Sequence, residues 1–187
     1  MTAGPRPTTL PAGHIWWRVA DRDGTDPLDG TAADRLGGPW NAPGDGSTLY
    51  LSADVATARA RVRRLLVGTA VDPEDLRDDA PFVLIPVRLP ARQRVADATT
   101  DAGLAALGLP ATYPRGPRGG EVARAACRRA ARDVRAAGLR GIHVRSATTP
   151  DGPDRDLVWF PAPGARGRVS GGSRPFAEWR HDPTSPG

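Results

Sequence analysis

"GGPWNAPGDGSTLYLSADVATARARV" runs from Gly37 to Val62 and decides how the rest of the chain is read. A glycine pair and an Ala-Pro-Gly turn flank a Trp-Asn pair, so the segment is a loop that still carries a large apolar side chain. "TLYLS" (48–52) then reads as a short strand, with Tyr50 facing away from Leu49 and Leu51. Ser52 is the expected N-cap of the following helix, and Asp54 falls in the first turn, where the helix dipole favours a carboxylate. Val55, Ala58, Val62 and Leu65 recur at helical spacing and form the expected buried stripe.

Upstream, "HIWWRVA" (14–20) reads as a strand, with Ile15, Trp17 and Val19 on one face and His14, Trp16 and Arg18 on the other. Between the two strands lies a long stretch dense in Asp, Gly and Pro, read as one loop; loops of that length are commonly functional. Downstream, "PFVLIPVRLP" (81–90) reads as an apolar strand broken at Pro86. "GGEVARAACRRAARDVRAAG" (119–138) reads as a helix with Val122, Ala126, Ala130 and Val134 inside and Gly138 at C′. "GIHVRS" (141–146) and "DLVWF" (156–160) are two further strands. Helices and strands mix without regular alternation, which favours α+β over a doubly wound sheet.

The chain has 187 residues, which suits one domain with a sizeable core. Residues 1–13 and 180–187 are expected to be flexible, leaving a domain over 14–179. All 26 basic residues are arginine. Against 21 acidic residues they leave a net charge of +5, weak grounds for a nucleic-acid surface. A single cysteine, Cys127, excludes an internal disulfide framework. No signal-peptide core and no membrane-length apolar run is present, so a soluble cytoplasmic protein is expected. The histidines His14, His143 and His181 show no metal-ligand spacing, and no metal is expected. "GGPWNAPGDG" is neither a Walker loop nor a dinucleotide fingerprint.

The order of these pieces carries more than any one of them. "WWRV", "GGPWNAPG", "LYLS", a helix opening "ADVATARARV" and a late strand finishing "VRSA" together resemble the RES domain family. Those proteins are the toxins of RES–Xre toxin–antitoxin pairs. The resemblance covers residues 14–163. It implies a mixed twisted sheet with flanking helices, related to the ADP-ribosyltransferase fold. It also implies degradation of NAD+, taken as substrate rather than cofactor, by hydrolysis or phosphorolysis. An Xre-like antitoxin is the partner implied.

By that resemblance Arg18 matches the family arginine, Trp40 and Asn41 match its Trp-Asn, Tyr50 its strand tyrosine and Ser146 its serine. Two positions depart. Pro39 stands where the family has a second arginine, and Arg61 stands where it has a glutamate.

The chemistry explains what such residues would do. Cleaving the nicotinamide–ribose bond passes through a cationic sugar, as glycoside hydrolysis does. An arginine fork suits the pyrophosphate, and Arg18, on one strand face with Trp16, is the candidate clamp. Tyr50 and Ser146 are candidates for lining the cleft, with Ser146 orienting the nicotinamide amide or the ribose. Trp40 and Asn41 are candidates for holding the loop or touching the ligand. Arg61 is either a second anion-binding cation or the mark of lost catalysis. Asp156, Glu121 and Asp54 are the carboxylates that could replace the missing glutamate, and sequence does not rank them. The competing readings are an inactive RES-like domain that binds a nucleotide or phosphate ligand, and an arginine-rich nucleic-acid-binding protein.

Overall fold

The strand read at 48–52 sits in the middle of a nine-stranded sheet. In the computed structural model, which describes residues 4–24, 26–72, 75–76, 81–149, 152–162 and 164–180, the strands are β1 (Pro7–Thr9), β2 (Ile15–Asp21), β3 (Leu49–Ser52), β4 (Phe82–Arg88), β5 (Arg94–Ala98), β6 (Gly141–Arg145), β7 (Arg155–Trp159), β8 (Arg168–Val169) and β9 (Arg174–Pro175). The helices are α1 (Thr31–Leu36), α2 (Val55–Leu66), α3 (Asp101–Ala106), α4 (Arg124–Ala136) and α5 (Phe176–Arg180). The sheet order is β1-β5-β6-β7-β3-β2-β4-β8, with β9 also pairing β4. Among the described residues only β5 and β6 run parallel. The architecture is the expected α+β one, a single mixed sheet with flanking helices.

Cross-strand partners share a face, so the register shows where the helices lie. Tyr50 pairs with Val158 and Val158 with Ile142; Ser52 pairs with Asp156 and Asp156 with Val144. On this face Ala130 and Val134 of α4 pack against Ile142, Val144, Val158 and Tyr50. Trp17 is the register partner of Ser52 and therefore shares the face. There Val55, Ala58 and Val62 of α2 pack with Trp17, Val19, Leu84 and Phe176. Helices α2 and α4 thus cover one face side by side.

The opposite face packs onto itself. One buried cluster joins Val95 of β5 to Val83, Ile85 and Val87 of β4 at the far side of the sheet, through Trp16, Leu49, Leu51, Leu157 and Trp159. The Trp16 and His143 rings lie 5.7 Å apart, although β2 and β6 are separated in the sheet by β3 and β7. The sheet must therefore curl strongly. Trp16, expected on the same strand face as the candidate clamp Arg18, belongs to this inner core and is 2 % exposed.

Several local expectations change. Residues 7–9, read as part of a loose end, form β1 on the edge of β5, and Leu10 is buried. The tail at 181–187 lies outside the described residues. The long loop contains α1, a six-residue helix with no buried residue and hence no apolar stripe to announce it. Asp54, not Ser52, is the N-cap of α2, accepting the Thr57 N–H. Leu65 leaves the stripe and is 58 % exposed. Pro86 does not break β4. Its carbonyl accepts the Ser170 N–H at 2.8 Å, so its missing N–H also faces that edge. That edge lies between the β9 partners Val83 and Leu84 and the β8 partners Val87 and Arg88. Helix α4 starts at Arg124 rather than Gly119. Gly138 follows its C-cap with a φ of 71°, the left-handed residue expected at C′.

Candidate functional site

Where α2 and α4 part, a cavity of about 960 Å³ opens over β3 and β7, within the size range of small-molecule sites. Arg18, Trp40, Tyr50, Arg61, Pro39 and Asp156 all line it. Strands β2 and β3 pair at Trp17 and Ser52. Arg18, the next residue along β2, borders the opening.

The Gly37–Thr48 loop forms one wall and is fixed by its own side chains. Gly37 has a φ of 74°, which favours glycine. A Cβ on Gly38 would stand 2.3 Å from the Tyr50 hydroxyl, so no larger residue fits there. The Tyr50 hydroxyl accepts the Trp40 N–H at 3.1 Å and donates to Asn41 Oδ1 at 2.6 Å. The Asn41 amide donates to the Ala33 carbonyl, and Asn41 is fully buried. Trp40 is 4 % exposed and packs into the α4 core beside Tyr113. Asn41 therefore spends its side chain on the loop, Trp40 wedges the loop into the core while bordering the cavity, and Tyr50 presents its ring.

The arginines of α4 take up the other side of this loop. Arg128 Nε donates to the Gly38 carbonyl at 3.0 Å, and Arg132 pairs with Asp45 at 3.7 Å. Arg135 donates to the Ser47 carbonyl and to Thr48 Oγ1 while lying over the Phe160 ring at 3.7 Å. Spacing alone makes these residues look like an ordinary solvent face. Their role depends on where the loop lands, which no local pattern records.

The electrostatics centre on two groups. Arg18 Nη2 donates to the Asp29 carbonyl at 3.1 Å, whereas its Nη1 is buried with no hydrogen-bond partner. Burial pulls the Arg18 guanidinium below its ordinary value, against the opposing pull of Asp26 and Asp29. At the floor, Asp156 Oδ1 accepts from Arg61 Nη2 at 2.8 Å and from Ser52 Oγ at 3.1 Å, and Oδ2 accepts from Ser146 Oγ at 2.9 Å. Ser146 is 1 % exposed and does not itself line the cavity; it backs Asp156 and Thr148, which do.

The three candidate carboxylates now separate. Asp54 is occupied as the cap of α2. Glu121 lies at the mouth, 76 % exposed and paired with Arg64, which also donates to the Ala147 carbonyl. Asp156 is buried at the floor. Among the described residues no cluster of His, Cys, Asp and Glu could hold a metal ion, and no helix is long and apolar enough to cross a membrane.

Cys127 also borders the cavity. Burial pushes its thiol up to about 11, against an ordinary 9.0, so little thiolate exists near neutrality. Iodoacetamide at pH 7.5 is expected to label Cys127 about 100-fold more slowly than an unhindered thiol. Labelling at the free-thiol rate would refute that environment.

The RES domain family model matches residues 15–178. No curated protein matches. Among solved structures, a chain of the M. tuberculosis MbcT–MbcA toxin–antitoxin complex is similar with a TM-score of 0.72. The identity is 18 %, over 95 % of this chain and 90 % of that one, and the likeness is one of fold.

Proposed function

The chain belongs to the RES domain family, and on that premise we propose that it is the toxin of a toxin–antitoxin pair that consumes cytoplasmic NAD+. The reaction is cleavage of the nicotinamide–ribose bond, with water or phosphate as acceptor. The observation that carries this reading is the Arg18 guanidinium, buried at the cavity wall with Nη1 unpartnered. A buried cationic donor without a partner is costly unless a ligand completes it. A pyrophosphate offers the oxygens that match its fork. Cavity size supports a dinucleotide, and the structural neighbour's place in a toxin–antitoxin complex supports an antitoxin partner.

Arg18→Ala is expected to weaken NAD+ binding by about 1.5–3 kcal/mol, the range for a hydrogen bond to a charged group. That is roughly a 10- to 150-fold rise in Kd by calorimetric titration. Unchanged affinity would make Arg18 a purely structural residue. A second reading, an inactive nucleotide-binding domain, draws on one observation: α2 presents Arg61 rather than a carboxylate to the cavity. Binding of NAD+ without its depletion would favour it.

A further inference from the structure

Resting on the NAD-consuming reading, we propose that Asp156 is the carboxylate that stabilises the cationic ribose, taking over from strand β7 the charge that the family pattern places on α2. Arg61 then acts as its positioning residue. Three carboxylates line the described cavity, those of Asp29, Glu121 and Asp156. The Asp29 carboxylate is taken by the Thr31 N–H and hydroxyl in an exposed turn, and Glu121 is the solvated mouth residue. Only Asp156 is both buried and in the cavity wall, where low dielectric makes a fixed charge count most.

Its cradle is built from three directions. Ser52 on β3 and Ser146 beyond β6 donate from the strands on either side of β7, and Arg61 donates from α2. Thr148 in turn fixes Ser146, with its N–H 3.2 Å and its Oγ1 2.7 Å from Ser146 Oγ. The three donors use two acceptor sites of Oδ1 and one of Oδ2, so a carboxylate with about four such sites keeps one on Oδ2. The Asp156 side chain retains 10 % exposure.

The step balances without another reagent. The C1′–N1 bond breaks, its electron pair passes to the nicotinamide nitrogen and neutralises the pyridinium, and C1′ becomes the cation that faces Asp156. Water then bonds to C1′ and releases a proton to solvent, or phosphate bonds to C1′ in its place. Asp156 takes no part in the proton transfer.

The test compares NAD+ depletion and NAD+ binding for the wild type, Asp156→Asn, and Asp156→Asn combined with Arg61→Met. The amide preserves the shape and can keep acceptance from Arg61 and Ser52. The double variant removes the cation the amide would leave uncompensated, in case the single variant fails to fold. Both are expected to lose turnover about 100-fold or more, with the Kd for NAD+ of the single variant within about 3-fold of wild type. An active wild type with either variant above one third of its rate overturns the role of Asp156 alone. A wild type that leaves NAD+ intact overturns the NAD-consuming reading, and this role falls with it.

Discussion

Trp40→Ala is expected to lower the free energy of unfolding by about 3–5 kcal/mol, the usual cost of removing a buried tryptophan. Trp40 is almost wholly enclosed between the loop and the α4 core, and its ring lies 5.8 Å from that of Tyr113. Its own N–H is one of the two bonds on the Tyr50 hydroxyl, so a shifted loop also strains the bond from Tyr50 to Asn41. Denaturant unfolding measures the effect, with Trp40→Phe expected to lose less than half as much. A loss below about 1 kcal/mol would mean that Trp40 is a ligand contact and not the wedge of the loop.

Arg61→Glu is expected to be the second severe change. It replaces the donor 2.8 Å from Asp156 by an acceptor. Two carboxylates at hydrogen-bond range repel, which drives Asp156 off the Ser52–Ser146 cradle. Breaking a largely buried pair costs about 3 kcal/mol or more. The expected result is lower stability together with a loss of NAD+ turnover of a few hundredfold, about 3–4 kcal/mol in barrier. Depletion assays read the outcome directly. If the variant were instead faster than the wild type, a glutamate at this helix position would be the group the chemistry needs, and Arg61 would mark a damaged site.

The segments with strong local signals were legible. Alternation in "TLYLS" placed Tyr50 toward the cavity and Leu49 and Leu51 in the opposite core. The parity of Ile142, Val144 and Ser146 set all three on the buried side of β6 and its exit. What escaped was structure without a periodic signature. In β5, "RVADA", the buried positions include two alanines, which give little contrast with a loop. Helix α3 is six residues long with a Thr100 cap, too short for an apolar stripe to repeat.

The site was half legible for a related reason. Arg18, Trp40, Asn41 and Tyr50 lie in segments whose motifs can be read along the chain. Asp156 looks like the polar first letter of an apolar strand. Its importance comes from β7 threading between β3 and β6, a pairing that no window of sequence contains. The arginines of α4 pose the same problem: Arg128 meets Gly38 across 90 residues.

The position of β7 also orders events during synthesis. Arg61 meets Asp156 across 95 residues, and β3 cannot gain its β7 neighbour before that strand leaves the ribosome. Until then the nascent chain has β2, β3 and α2 but neither the floor of the cleft nor the counter-charge of Arg61. Pairings between such distant segments are among the slowest to form. Translation therefore leaves the cleft without its floor until β7 emerges, and long-range pairing sets when the cavity is complete.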